Sequence, residues 1–432
     1  MKRLHFIRKN RVNLNLKDYF MQPDREIVLD LSRLLSRLFH ATPTGVDRVE
    51  MAYARALLYQ IPDQLSFAAV NIFGRYGRIP NDKALIFLDH IDNLWNGEIS
   101  IPPKSIKKWQ YISKIYGLMW PQSVPENNRS LRIFLQSSPH HLTNQKLMAS
   151  ILKKEKAKFI CLLHDLIPIS YPEYARPNGA DLHIKRMNTV AQLADGVIAN
   201  SYDTEKKFQD FLQKSEKNIP IVTAHLGVDI RHNSKLSKNI HPSLFETLNI
   251  NEDRSVFIYI STIEPRKNHL LLLNIWRNLV TLYGDKTPYL VLVGRRGWEN
   301  ENIIDMLDRC PAMQKRVFEF SHLGDGQMQL WLKQSRALLM PSFAEGYGLP
   351  IAEAISLGVP VICSDIAAHR EVGGIVPEYI DPIDGLGWQN AIIEYSRSNS
   401  ERVEIQKKAM LKWQLPSWDA HITAVLQLAD KL

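Results

Sequence analysis

The sequence predicts an α/β protein made of two Rossmann-like, doubly wound lobes that face each other across a cleft. Three observations carry the prediction. Short apolar runs alternate with helical patterns in both halves of the chain. A polar stretch near the middle interrupts that alternation. The length, 432 residues, exceeds what one ordinary hydrophobic core accommodates.

In the first half, EIVLDL (26–31), LSFAAVNI (65–72), ALIFLD (84–89), LRIFLQ (131–136), KFICLLHD (158–165), GVIANS (196–201) and IPIVTAH (219–225) read as strands. Unbroken apolar character is expected of parallel strands covered on both faces. Helical patterns such as Asp47 to Gln60 lie between them. The chain turns polar and mixed after about Asp229, which marks a join between lobes. Strand character then resumes with SVFIYIS (255–261), PYLVLVG (288–294), VFEFSHL (317–323), ALLMPS (337–342) and VPVICSD (359–365). The expected units are residues 1–235, residues 236–415, and a closing helix within 416–432.

Composition narrows the function classes. Hydrophobic residues at 45% and charged residues at 23% describe a globular chain, not a disordered one. No run approaches the roughly 18 apolar residues of a membrane helix. The N-terminus MKRLHFIRKNRVNLNLKDYF is basic without an apolar signal core, so a cytoplasmic location is expected. Cys161, Cys310 and Cys363 are widely spaced and lack metal-ligand partners in sequence, so free buried thiols are expected. The net charge of +9 suits anionic lipid headgroups or phosphorylated substrates. No nucleic-acid motif accompanies it, and no nucleic-acid partner is expected. The segment Ile101 to Trp120 mixes lysines with bulky apolar groups. It reads as an amphipathic surface helix, or one that rests on the inner face of a membrane.

The most informative segment runs from Pro341 to Gly374. A strand ends at Ser342, a turn containing Gly346 and Gly348 follows, and Pro350 suits the first turn of a helix that stops at Gly358. Ligands of open α/β sheets sit at the carboxyl ends of strands, where helix N-termini attract negative charge. Glu345 and Glu353, spaced Glu-x7-Glu, offer carboxylates to the hydroxyls of a sugar and of a ribose. Earlier, STIEPRKNHLLLLNIW (261–276) places Arg266 and Lys267 at another strand-to-helix turn, a good site for a diphosphate.

These segments resemble retaining glycosyltransferase family 4, whose architecture is GT-B. The matching residues include Glu345, Gly346, Gly348, Leu349, Pro350, Glu353, Ala354, Gly358, Pro360, Val361 and Ser364. The resemblance implies that Glu345 contacts the donor sugar, Glu353 the ribose, and Arg266 and Lys267 the diphosphate. Tyr347 and Leu349 join the donor loop, and Arg295 and Leu323 lie where the family often contacts the base. In CLLHDLIPISYPEY (161–174), His164 ends a strand and the resemblance places it beside the donor sugar, with Asp165 ordering the loop. That segment looks like bacterial mannosyltransferases of surface polysaccharide synthesis. PTGVDRVEMAYARAL (43–57) resembles the family's first-lobe glycine loop. There Gly45 permits close approach of a ligand, Arg48 is an acceptor candidate, and Asp47 either caps the helix or meets the acceptor.

The implied reaction is retaining transfer of a hexosyl group from a nucleotide-sugar to a glycan or glycolipid acceptor. His164, Arg266, Lys267 and Glu345 are the expected catalytic set. The resemblance favours mannosyl from GDP-mannose, then rhamnosyl or fucosyl nucleotides, with UDP-sugars also open. No DxD-like motif appears, so neither metal nor other cofactor is expected. Two readings of other classes remain: a sugar-nucleotide epimerase of similar build, and a non-catalytic nucleotide-sugar-binding subunit. The sequence leaves oligomeric state and linkage open.

Overall fold

Most of the short, continuous apolar runs become strands covered on both faces. The computed structural model describes residues 24–432, apart from 39, 41, 97, 100–105, 127–128, 214–216, 229–241 and 322, and from the side chains of 106–109. The first sheet contains β1 (Arg25–Asp30), β2 (Leu65–Val70), β3 (Tyr76–Ile79), β4 (Leu131–Gln136), β5 (Lys158–Leu163), β6 (Gly196–Ala199) and β7 (Ile221–Thr223). Their spatial order is β3-β2-β1-β4-β5-β6-β7. β1 pairs in parallel with both β2 and β4, Ile27 lying opposite Leu65 and Ile133. Only β3 runs antiparallel, at the edge.

The second sheet contains β8 (Val256–Ile260), β9 (Tyr289–Val293), β10 (Val317–Phe320), β11 (Ala337–Met340), β12 (Val361–Ser364) and β13 (Glu378–Ile380), in the order β10-β9-β8-β11-β12-β13. Every pairing in it is parallel. Strand order reverses between β8 and β11, the topological switch point where open α/β sheets bind ligands. Arg266–Lys267 and Glu345 follow these two strands.

The run 84–89 is not a strand. It belongs to the helix Asn81–Trp95, whose buried residues Ala84, Phe87, Leu88, Ile91, Leu94 and Trp95 recur at helical spacing. Within six residues the apolar run hides that period, and Ile86 points outward. The edge strands β3 and β13 escaped the sequence reading because they are short and half polar.

Helix Gly45–Gln60 begins with a capping box: the Thr44 side chain accepts from the Asp47 amide, and Asp47 accepts from the Thr44 amide. The last helix, Trp418–Ala429, returns to the first lobe and packs on Gly45–Gln60, where Tyr53 and His421 share a hydrogen bond. Within the segment 101–120, residues 101–105 lie outside the described residues, and Ile106–Leu118 is a helix. Its Ile112 and Ile115 are buried, so part of its apolar face serves the core. The basic N-terminal segment and most of the polar join lie outside the described residues. Among the described residues, no helix is long and apolar enough to cross a membrane. Cys161 and Cys363 are buried free thiols and Cys310 is half-buried. Burial raises the Cys161 thiol to about 12.

Candidate functional site

After β8 the chain makes a single 3-10 turn, Pro265–Lys267, and Asn268 takes a left-handed conformation before the helix His269–Tyr283. The Asn268 amide donates to the carbonyls of Pro341 and Pro382, tying this turn to the loop after β11. The Phe343 amide donates to the Arg266 carbonyl at 2.8 Å. The two loops therefore form one unit, and their charged side chains converge.

Glu345 is the centre of that unit. Its Oε1 accepts from Lys267 Nζ and, at 2.7 Å, from Ser342 Oγ, while its Oε2 accepts from Arg266 Nη1 at 3.0 Å. Arg266 Nη1 also donates to the Ala344 carbonyl at 2.8 Å. Glu264, buried beneath, pairs with Arg266 Nε at 2.6 Å. Burial alone would raise the Glu345 carboxyl, but Lys267 and Arg266 hold it well below the usual range. Burial and then Arg266 lower the Lys267 ammonium, while Glu345 pulls the other way. The arrangement sets two guanidinium or ammonium groups against two carboxylates. It can hold a pyrophosphate only by sharing those cations with Glu345 and Glu264.

A carboxylate has about four lone-pair sites. Three on Glu345 are taken by protein donors, which leaves one, on Oε2, for a ligand hydroxyl. Glu345 therefore has room to accept from one sugar hydroxyl, not two.

His369 also belongs here. Its Nδ1 donates to the Ser364 carbonyl at 3.0 Å, its Nε2 has no partner, and it is fully buried within electrostatic reach of Glu345. Burial lowers its pKa to about 4, so the ring is neutral at pH 7.

Glu353 sits apart from Glu345, on the helix Leu349–Ser356. It lines a solvent-open pocket between the lobes with Leu349, Arg48, Trp95, Asp325 and Trp418. Arg48 crosses the cleft here, pairing with Asp325 at 2.6 Å and approaching Glu353 at 3.8 Å.

Comparison with known proteins bears on this geometry. Residues 241–374, which include Arg266, Lys267, Glu345 and Glu353, match the family "Glycosyl transferases group 1". This segment is a glycosyl transferases group 1 domain. The serotype-specific mannosyltransferase WbdA of Escherichia coli is 28% identical over 221 residues, 50% of this chain and 27% of its own length. O-antigen chain mannosyltransferase B of Escherichia coli is 32% identical over 162 residues, 38% of this chain and 42% of its own length. The chain thus spans well under half the length of these relatives. Among solved structures, Anabaena HepE in complex with UDP-glucose has a TM-score of 0.59 at 16% identity, covering 94% of this chain and 98% of its own. A trehalose-phosphate synthase of Burkholderia xenovorans has a TM-score of 0.60 at 9% identity, covering 94% and 99%. The fold is GT-B, as the sequence predicts.

The group 1 domain meets the first lobe through close contacts. At Gly346 a Cβ would collide with the His164 carbonyl oxygen, so only glycine lets the two backbones approach this closely. Ser201 Oγ donates to the Gly346 carbonyl at 2.8 Å. Gly348, at φ 109°, requires the left-handed region that glycine tolerates. Tyr347, expected in the donor loop, is buried, and its hydroxyl donates to the Leu226 carbonyl of the first lobe at 3.2 Å.

His164 Nε2 donates to the Ser137 carbonyl at 2.8 Å, which leaves Nδ1 as an acceptor on a ring that burial keeps neutral. Asp165 accepts from the Ile167 amide and orders its loop. Asp47 is fully buried, caps its helix and pairs with Arg33 and Arg37, so it is a structural residue and is not offered to an acceptor. No protein atom approaches the Cβ position of Gly45, so protein packing does not demand glycine there. Arg295 is exposed, and Leu323 packs against the core just before the helix Asp325–Gln334. Among the described residues, no group of three or more His, Cys, Asp or Glu could hold a metal ion.

The sequence reading missed Glu264, Ser342 and His369. Glu264 and Ser342 lie within the quoted segments but look like ordinary loop residues. Only the pairing of two distant loops brings them to the cluster.

Proposed function

We propose that the chain is a retaining glycosyltransferase of family 4 type that moves a hexosyl group, mannosyl from GDP-mannose, to a lipid-linked oligosaccharide or polysaccharide. One observation carries the reading: Arg266, Lys267 and Glu345 converge at the switch point of the group 1 domain. The mannosyltransferase relatives favour the sugar. The nucleotide-sugar is a substrate, and no metal or other cofactor is required.

In this reaction the bond between C1 of the sugar and the diphosphate oxygen breaks. The acceptor oxygen bonds to C1 on the same face, and the departing phosphate oxygen takes the acceptor proton. Arg266 and Lys267 stabilise the charge that collects on the leaving diphosphate. Glu345 holds those cations in place and accepts one sugar hydroxyl. His164 offers neutral Nδ1 to the sugar from the opposing lobe, and Glu353 meets the ribose, with Arg48 orienting it. Arg295 and Leu323 border the base. Closure of the lobes excludes water.

The test is a screen of GDP-, UDP- and dTDP-sugars by thermal stabilisation and donor hydrolysis, followed by the anomeric configuration of the product. GDP-mannose is expected to stabilise and turn over with retention, and Arg266→Ala to abolish turnover. If no nucleotide-sugar binds and Arg266→Ala behaves as the parent, the reading fails. Turnover with no acceptor present and no sugar released would identify an epimerase.

A further inference from the structure

We propose that the first lobe holds a subsite for an anionic group of the acceptor, phosphoryl or carboxylate in chemistry, built from Arg33, Arg37 and Arg186. The assignment to the acceptor rests on the transferase reading above; the anion chemistry does not.

Two helices bring these residues together. Arg33 lies on the short helix Ser32–Ser36 after β1, Arg37 closes it, and Arg186 lies on Gly179–Leu193. Arg33 and Arg37 share one carboxylate: Asp47 accepts from Arg33 Nε at 2.6 Å and from Arg37 Nε at 3.1 Å. Arg37 Nη2 is buried without a hydrogen-bond partner. Arg186 Nε is likewise buried and unpartnered, and no hydrogen bond or ion pair ties Arg186 to any described residue. Buried guanidinium donors left open are costly unless a ligand or water meets them.

The positive charge is concentrated, not dispersed. Arg186 lies within electrostatic reach of Arg33, and Arg37 within reach of Arg295 from the opposing lobe. Burial, followed by Arg33, holds Arg186 below the ordinary guanidinium value. Nearby His140 is driven down to about 4 by burial and then by His141, Arg33 and Arg186. A further proton on that ring is therefore disfavoured.

The cluster also faces the reaction centre. Asp165, at the turn that follows His164, is within reach of both Arg186 and Arg266. The contrast with the second lobe is the decisive point. There, Arg266 and Lys267 are matched by Glu264 and Glu345. In the first lobe three guanidinium groups have Asp47 as their one paired carboxylate among the described residues. A planar fork suits the oxygens of phosphate or carboxylate, which it can bind in bidentate fashion. An acceptor whose glycan is joined to a pyrophosphate, or whose sugars carry carboxylates, supplies that group.

The experiment titrates inorganic pyrophosphate, inorganic phosphate and glucuronate calorimetrically into the full chain, with GDP or UDP saturating the donor site. At least one anion is expected to bind. Arg186→Gln is expected to weaken it about tenfold or more, the loss of a charge-assisted contact, and to leave nucleotide affinity unchanged. Arg186→Lys is expected to recover part of the binding. Because no hydrogen bond or ion pair among the described residues holds Arg186, its replacement is expected to leave the melting temperature within about 2 °C of the parent, which keeps the test interpretable. Preference for pyrophosphate over glucuronate identifies a phosphoryl acceptor, and the reverse identifies an acidic sugar. The proposal is overturned if no anion binds at millimolar concentration, or if Arg186→Gln binds as the parent does. It is equally overturned if the variant loses nucleotide affinity instead, because the cluster would then belong to the donor. If no nucleotide binds but anion binding still depends on Arg186, the transferase reading fails and the anion site stands.

Discussion

Replacing Glu345 by glutamine removes one negative charge from the buried cluster and keeps nearly the same shape. Lys267 loses its salt-bridge partner, while Arg266 retains Glu264. The new amide NH2 also faces donors on at least one side. Breaking a buried ion pair costs about 3–5 kcal/mol because a desolvated charge is left behind. The lower figure, about 3 kcal/mol, applies here because Glu264 and Ser342 remain in place. For a cooperative unit of this size it corresponds to a fall of about 6–12 °C in melting temperature. Differential scanning calorimetry at pH 7.5 measures it. The second arm is the double variant Glu345→Gln/Lys267→Met. Removing both partners is far cheaper than removing one, so the double variant is expected to be more stable than Glu345→Gln. The depressed Glu345 carboxyl adds a pH signature. Its contribution is complete above the unfolded carboxyl value near pH 4.3 and is lost as pH falls toward the folded value. A Glu345→Gln protein melting within 1 °C of the parent, or a double variant no better than the single, would refute the charge-cluster reasoning.

Three further outcomes are expected. Glu50 is fully buried, and burial followed by Asp30 pushes its carboxyl up to about 8. The unfolded chain ionises first as pH rises from about 4.3, so this group lowers stability across that window up to about pH 8. Glu50→Gln, whose amide oxygen can still accept from the Leu34 amide, is expected to raise the melting temperature more at pH 8.5 than at pH 5; an equal gain at both would contradict it. Arg48→Ala severs the cross-cleft pairs with Asp325 and Glu353. Both partners are half-exposed at most, so a stability loss of about 1 kcal/mol is expected, with a raised donor KM and a smaller change in kcat. Gly346→Ala places a Cβ against the His164 carbonyl oxygen, so the lobes must separate. Small-angle scattering is expected to show a larger radius of gyration, with turnover lost while each lobe stays folded; unchanged scattering and activity would sink the close-approach argument.

The strands were legible because a stretch buried on both faces must be apolar, as β8 and β9 are throughout and as β1 and β5 are over Ile27–Leu29 and Phe159–Leu163. Residues 84–89 misled because six residues are too few to separate a buried strand from one face of a helix. The donor-site segments were legible for a related reason. The turn after β8 and the turn after β11 each carry their chemistry within a few consecutive residues, so local order alone sets Arg266 beside Lys267 and Glu345 beside Gly346 and Gly348. What those groups do to one another is not local. The commitment of Glu345 to Lys267, Arg266 and Ser342, and the burial of Glu264 beneath, depend on two loops about 80 residues apart meeting at the switch point.

The first lobe shows the same division. Sequence placed Asp47 and Arg48 side by side at one helix start, but it could not say that Asp47 turns inward to cap the helix and hold two arginines. Nor could it say that Arg48 reaches across the cleft to Asp325. Sequence by itself determined the strands, the turns and the chemical types at their ends, because those follow from periodicity and neighbours along the chain. Tertiary structure decided which charges are neutralised and which are left open, because burial and pairing are set by residues that only folding brings together.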